Sequence, residues 1–338
     1  MVKPRLQDVA DRAGVSMKTV SNVINGYQHV SEATRNRVMA AVDDLGYRPN
    51  LAARNLARGR SGLIALVVPR LDFPYFAALS GRVLQAARTV GWEVVIEQTD
   101  GDLELERQVI AGHLARRIDG LIFSPVAVGA DEIRGRADPT PLVLLGEHVA
   151  DAGVPHIAID NVAAAALATQ HLIDIGCRRI GMIGATRRRD NPRYQGFRQA
   201  MKRSGLPVDP SLVRSTRSTE GIEGERQLSA ILDGSESPPD GVFCATDWLA
   251  LGAIRAIHRH GLRVPQDIAV VGFDAIPYGE VASPSLTTIM PDRDQIARRA
   301  VAALLEADER TTGRSAREPL DHQDVDFRLI VRESTDRR

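Results

Sequence analysis

The sequence predicts an α/β protein in two parts: a small all-α head, then a body of parallel sheets arranged as two lobes. Three observations carry this. Residues 1–60 hold ten Lys/Arg against five Asp/Glu and the remainder 33 against 38, although the 338-residue chain is formally neutral. Helical periodicity with well-placed cap residues runs up to Gly46. From residue 62 onward, short apolar runs alternate with helical stretches, the pattern of parallel sheets covered on both faces. An apolar share of 43% and a charged share of 25% suit a globular chain. Cys177 and Cys244 are too few for a disulfide-stapled secreted fold. Apolar runs such as Leu63–Val68 fall far short of the roughly 18 residues of a membrane span. The N-terminal segment has no apolar core of an export signal.

The head is built from local signals. Leu6, Ala10 and Ala13 share one helical face, and Gly14 breaks that helix. Ser16 caps a second helix, whose inner stripe is Val20, Val23 and Ile24 and whose end is Asn25-Gly26. Ser31 caps a third, with Val38, Ala41, Val42 and Leu45 inward and Gly46 at its close. Two short helices joined by a tight Gly-containing turn, plus a third, form a helix-turn-helix unit. Such a unit lays its second helix in the major groove of DNA, where Met17, Lys18 and Asn22 would face base edges. Lys can donate to guanine O6/N7, Asn can pair with adenine N6/N7, and Met can pack on a thymine methyl. An ordinary three-helix bundle with a polar face is the rival, and the local basic excess weighs against it. Residues 47–60 carry three further arginines after Arg48's neighbourhood of Pro49, and could form a helix too short to be stable alone. Its apolar Leu56 could wedge between base steps of the minor groove; a plain linker is the other reading.

In the body, the apolar runs are Leu63–Val68, Glu93–Ile96, Leu121–Phe123, Leu142–Leu145, Ile157–Ile159, Ile180–Ile183, Val242–Cys244 and Ile268–Val271. They are too many for one ordinary doubly wound sheet, so two α/β lobes are expected. Ligands in such sheets sit beyond the carboxyl ends of strands. Phe73, Tyr75 and Phe76 follow the first run in a chain with only 4% aromatics, and flat rings pack on the C–H face of a pyranose. Tyr75 serves equally well as core. His258 and His260, two apart, make a poor metal pair on a helix. The basic run Arg187–Arg189 reads as a solvated loop. No nucleotide-binding or nucleophile-elbow motif occurs, so neither a cofactor nor a catalytic residue is expected.

The stretch "LQDVADRAGVSMKTVSNVINGYQHVSEATRNRVMAAVDDLGYRPNLAARNLARG" resembles the head and hinge of the lactose-repressor (LacI/GalR) family of bacterial transcription regulators. Further blocks, "HLIDIGCRRIGMIG", "RYQGFRQAM", "ATDWLALGAIRAI" and "IAVVGFDAIPYGEVASPSLTTI", extend the resemblance through the chain. It implies a DNA-binding head and hinge helix over 1–60 and a periplasmic-binding-protein-like body over 61–338. The lobes would be 62–160 plus 291–321, and 161–290 plus 322–338. The implied DNA contacts are Met17, Lys18, Thr19, Ser21, Asn22 and Asn25 in the head, with Asn50, Ala53, Arg54, Leu56 and Ala57 in the hinge. The implied effector site takes Arg193 and Asp274 from matching family positions, joined by Phe73, Phe76 and Thr246, and by Trp248 as either a stacking surface or a packing residue. Asp247 also matches a residue beside the family cleft, as either ligand contact or helix cap. Thr246 stands where sugar-responsive members often carry Asn, a departure that leaves the ligand's identity open. The resemblance implies a cytoplasmic homodimer on near-palindromic double-stranded operator DNA. It would repress carbohydrate-utilisation genes and be released by a sugar or sugar derivative. A purine- or nucleoside-responsive regulator is the alternative, and a sugar-binding or enzymatic α/β protein a more distant one. The charged C-terminal tail, without a heptad repeat, implies no helical-tail tetramer.

Overall fold

The computed structural model describes residues 4–24, 27, 29–47, 61–115, 117–149, 151–184, 191–235, 237–311 and 322–337. Two compact units meet at Gly62/Leu63. The first contains α1 (Leu6–Ala13), α2 (Met17–Ile24) and α3 (Glu32–Leu45). Gly14 and Gly46 end α1 and α3 in the left-handed conformation that a glycine adopts without Cβ strain. Ser16 Oγ accepts the Thr19 N–H at 3.1 Å, and Ser31 Oγ accepts that of Thr34 at 3.4 Å. Each serine thereby supplies an acceptor for an otherwise unpaired first-turn donor. Val9, Ala10, Ala13, Val20, Val23, Val38 and Ala41 form a single small core. Val9, which the sequence periodicity passes over, is among its most buried members.

The second unit holds two six-stranded sheets. The first has strand order β11-β5-β4-β3-β1-β2, built from β1 (Leu63–Val68), β2 (Glu93–Gln98), β3 (Gly120–Phe123), β4 (Leu142–Leu145), β5 (His156–Ile159) and β11 (His322–Val325). The second has order β12-β10-β9-β8-β6-β7, built from β6 (Ile180–Ile183), β7 (Val213–Arg214), β8 (Gly241–Cys244), β9 (Ala269–Phe273), β10 (Thr287–Pro291) and β12 (Phe327–Ile330). All pairings are parallel except β10 with β12. The helices are α4 (Pro74–Thr89), α5 (Leu103–Ile110), α6 (Ala130–Arg134), α7 (Asn161–Asp174), α8 (Pro192–Arg203), α9 (Gly221–Gly234), α10 (Asp247–Arg259), α11 (Pro277–Val281) and α12 (Arg293–Thr311).

The chain passes between lobes after β5 and after β10, and α12 returns to pack against α4 and β3. The third passage differs from the expectation. His322–Val325 pairs in parallel with β5, so it belongs to the first lobe, and the chain crosses at Asp326 rather than near 322. His-Gln-Asp-Val carries no apolar run because an edge strand needs only backbone pairing to join a sheet. Beyond β12 the chain is stitched into the second lobe. Ser334 Oγ donates to the Val270 carbonyl at 2.7 Å, and Thr335 Oγ1 lies 2.8 Å from Thr287 Oγ1 and 2.9 Å from His171 Nε2. Among the described residues, no helix is long and apolar enough to cross a membrane.

α9 and α10 approach so closely that a Cβ at Gly252 would overlap the Gly221 carbonyl, and one at Gly224 the Leu249 carbonyl. Gly252→Ala gains about 1 kcal/mol of helix propensity. Overpacking against rigid backbone costs more, so a net destabilisation of roughly 1–3 kcal/mol is expected. Chemical denaturation of the variant beside the parent checks this, and unchanged stability would show that the two helices can part at little cost.

Candidate functional site

Two sites emerge. In the head, α2 buries Val20 and Val23 and turns Met17, 48% exposed, and Lys18 outward. Ser21 and Asn22, one turn further on, are half-buried beside them. The Thr19 hydroxyl is held 2.9 Å from Ser16 Oγ and so belongs to the cap as much as to the exposed face. Asn25, Asn50, Ala53, Arg54, Leu56 and Ala57 lie outside the described residues, as does the run Arg187–Arg189.

In the body, a cavity of about 510 Å³ opens between the carboxyl ends of the two sheets. Its lining follows the strands in order: Pro69 and Arg70 after β1, Asp100 and Gly101 after β2, Ser124 and Val126 after β3, Glu147 and His148 after β4, and Asn161 after β5. The second lobe supplies Arg193 from α8, Arg217–Thr219 after β7, Thr246 after β8, Phe273 and Asp274 at the end of β9, and Pro291 at the end of β10. Phe73, Tyr75 and Phe76, at the start of α4, form an aromatic wall, with Tyr75 edge-on to Phe76 at a centroid distance of 5.2 Å.

Arg193 is the centre of the cavity. Its Nε donates to Glu147 Oε2 at 3.1 Å and to Asn161 Oδ1 at 3.3 Å, and one terminal nitrogen donates to the Ala245 carbonyl. Asp274 Oδ1 lies 3.8 Å away, and the guanidinium sits 3.8 Å over the Phe273 ring. Burial works against this charge, but Glu147, Asp274 and Tyr75 outweigh it and hold the Arg193 pKa above its ordinary value. Burial pushes the Asp274 carboxyl up to about 7, with Arg193 pulling it down, Glu147 pushing it up and Arg293 pulling it down in turn. Burial, and then Asp274, likewise raises the Tyr75 phenol.

The turn that carries Asp274 is strained, with φ of 108° at Asp274 and 51° at Ala275. It is held from every side. Asp274 N–H donates to the Ile289 carbonyl at 2.9 Å, and Ile276 N–H to Asp247 Oδ2 at 2.7 Å. Arg293, from the first lobe, donates to the Asp274 and Ala275 carbonyls at 2.5 and 3.2 Å. Asp247 is therefore neither a cavity residue nor a helix cap. It is fully buried, braces this turn, and accepts from Thr288 Oγ1 at 2.5 Å. Burial first, and the nearby Asp274 second, hold its carboxyl well above the usual range.

Thr246 caps α10, its Oγ1 accepting the Leu249 N–H at 3.2 Å, while also lining the cavity. Trp248 takes the packing role of its two readings. It does not line the cavity but faces an outer depression and meets the Tyr278 ring edge-on at 5.4 Å. Trp248 lies within α10, whereas Thr246 is its extended N-cap at the end of β8. Glu147 and Asn161 were not singled out from sequence, although each stands two residues beyond an apolar run, where the strand-end rule points. Glu106 had no such signal, because its neighbours Glu104 and Arg107 make it look solvated. It is fully buried and accepts three successive backbone N–H groups, from Val126, Ala127 and Val128, at 2.8–2.9 Å. It thus braces the loop that brings Ser124 and Val126 to the cavity. His260 is tied to Asp233 at 3.0 Å, and among the described residues no three metal-ligating side chains gather.

A helix-turn-helix head joined to a two-lobed body with a cavity between its sheets defines a ligand-responsive DNA-binding regulator. Residues 5–50 match the lacI family of bacterial regulatory proteins, and residues 169–335 match a periplasmic binding protein-like domain. The chain is 33% identical over 325 residues to the HTH-type transcriptional regulator DegA of Bacillus subtilis, covering 94% of this chain and 92% of that one. It is 32% identical over 339 residues to the ribose operon repressor of Halalkalibacterium halodurans, covering 98% and 96%. The crystal structure of the lac repressor dimer bound to operator and the anti-inducer ONPF superposes with a TM-score of 0.84, at 27% identity over 99% of both chains. The protein belongs to the lacI family: it is a bacterial transcription regulator and not an enzyme.

The raised pKa of Asp274 has a consequence for stability. The folded group binds its proton more tightly than the unfolded one, so the contribution is complete below about pH 4 and is lost as pH rises through about 7. Asp274→Asn removes this cost while tolerating the positive φ. Its thermal midpoint should exceed the parent's at pH 8, by the equivalent of roughly 1–3 kcal/mol, with the gap closing toward pH 5. A pH-independent difference would mean that the aspartate's charge is not what the fold opposes.

Proposed function

We propose that this protein represses carbohydrate-utilisation genes and is released from DNA by a sugar or sugar derivative bound between the lobes. The observation that carries the proposal is the Arg193–Glu147–Asp274 cluster beneath the aromatic wall of Phe73, Tyr75 and Phe76. Guanidinium donors and carboxylate acceptors converging on one point suit vicinal hydroxyls, and rings suit the apolar face of a pyranose. The ribose operon repressor, by its name, acts on a sugar operon. Protein in the cytoplasm, associated with the nucleoid when on operator, would then meet both of its ligands.

A near-palindromic, double-stranded operator needs two heads, as in the lac repressor dimer on its operator. The second copy has a surface available for it. Ile222, Tyr278 and Val281, 64%, 56% and 83% exposed, are apolar side chains on the surface of the second lobe, and Tyr278 meets Trp248. A homodimer through this face would pair like with like about a two-fold axis. DNA and effector would then weaken each other's binding by the same factor.

Two experiments test this reading. Lys18→Ala and Asn22→Ala should each relax preference at particular operator positions, by roughly 1–3 kcal/mol of discrimination. Equal losses on operator and random DNA would make them backbone contacts instead. Asp274→Asn should retain operator binding yet lose release by whichever sugar frees the parent protein, as measured by fluorescence anisotropy on labelled operator. Release at the parent's sugar concentration would place the effector elsewhere.

A further inference from the structure

We propose that Arg70 and Glu220 form a latch across the mouth of the cleft, and that this latch sets how readily the two lobes part. The proposal goes beyond the sugar-released reading and holds for whichever compound fills the cavity. Arg70 follows β1 in the first lobe, Glu220 precedes α9 in the second, and the two side chains meet at 2.9 Å. Each is presented by its own lobe. Asp72 accepts from Arg70 Nε at 2.9 Å and from one terminal nitrogen at 2.5 Å, a fork that points the other terminal nitrogen at Glu220. The Leu71 N–H donates to Gln98 Oε1 at 2.7 Å and Gln98 Nε2 to Asp100 Oδ1 at 2.6 Å, which fastens the loop carrying Arg70 to the end of β2. Glu220 flanks the N-terminus of α9, yet its side chain makes no cap hydrogen bond and reaches Arg70 instead. Its backbone N–H donates to Ser218 Oγ at 3.3 Å, and Ser218 and Thr219 line the cavity. Arg70 itself lines both the cavity and the outer depression, so it is part of the wall between them.

The latch stands on the side of the cleft away from the crossings. The chain passes between lobes after β5, β10 and β11; β5 and β11 lie at one end of the first sheet, and β10 and β12 at one end of the second. β1 is separated from β5 by β4 and β3, and β7, from which the chain runs on to Glu220, is the far edge of the second sheet. At about 4.8 Å per strand the latch is roughly 15–25 Å from the crossings, where a rotation of about 10° moves one rim from the other by about 3–4 Å. That parts the ion pair, whereas Arg293, next to the crossing at Asp292, is displaced least. The side chains of Arg70 and Glu220 are 36% and 45% exposed, against 15% and 16% for Arg193 and Glu147. Such an exposed pair favours its joined state by no more than about fivefold, and salt screens it far more than the buried pair. The latch therefore biases the lobes without locking them. By setting the fraction of protein already closed, it sets the apparent affinity of any ligand that needs the closed arrangement.

The test measures lobe separation in the full-length chain without any ligand. Gln108→Cys on α5 and Ala230→Cys on α9, both exposed, carry nitroxide labels, and the native Cys177 and Cys244 are buried away from the reagent. Labelled chain is diluted into excess unlabelled chain, so that pulsed electron spin resonance reads distances within one chain. In low salt, Arg70→Met and Glu220→Gln should each lower the ratio of closed to open distances about two- to fivefold. The double variant should open no further than the single ones, because both remove the same contact. Raising the salt to about 1 M should open the parent to the level of the variants and leave the variants unchanged. Unaltered distances in either single variant, additive opening in the double one, or an equal salt response in parent and variants would each overturn the latch. None of these results bears on which compound releases the operator, so the sugar-released reading stands or falls separately.

Discussion

A guanidinium ion leaves water only where its charge and its donors are met, and Arg193 has left water. Its side chain is 15% exposed, between Glu147 from the first lobe and Asp274 from the second. The energetic penalty of burying an uncompensated charge there amounts to several kcal/mol. The two lobes are therefore joined at this point by an electrostatic requirement rather than by apolar contact. A ligand that favours one lobe arrangement over another must interact differently with the two, and the Arg193–Glu147 contact spans the lobes at the cavity.

The rest of the cleft serves that point. Asp274 stands on two successive residues with positive φ, a conformation costing on the order of 1–3 kcal/mol per residue. Such a turn persists because Asp247, Thr288, Ile289 and Arg293 together leave its backbone no alternative partners. Arg293 opens α12 in the first lobe while the turn belongs to the second, so this brace also spans the lobes. On the opposite wall, Glu106 does for the Val126–Val128 loop what Asp247 does for the turn, with a carboxylate filling a cradle of backbone N–H groups. Both carboxylates act through loops that reach the cavity, and neither touches it.

The head was legible almost residue by residue, because its signals are local. Ser16 and Ser31 as caps, Gly14 and Gly46 as terminators and a 3.6-residue apolar period need no distant partner to be recognised. The eight apolar runs likewise became strands; seven are buried along nearly their whole length, as a strand covered on both faces must be apolar, while β2 lies at a sheet edge and is half exposed. What was missed had no such local mark. β7 has two residues, and β11 is an edge strand whose sequence offers a single apolar residue, Val325, to the core. Trp248 looked like a cleft residue by its place in a family block, yet it lies within α10, past the N-cap Thr246 that reaches the cavity.

Composition, caps, periodicity and motif spacing were enough to establish a basic helix-turn-helix head, a two-lobed α/β body and the strand ends at which a ligand would sit. These properties depend on neighbours within a few residues or on a repeated pattern, and both are visible in one dimension. The partnership of Glu147 with Arg193, 46 residues apart, was decided only when the lobes came together, as were the bracing roles of Asp247 and Glu106. A charged residue carries no mark of whether it will be solvated, paired or buried. That depends on which groups the folded chain brings within a few ångströms, where the low dielectric makes the pairing decisive.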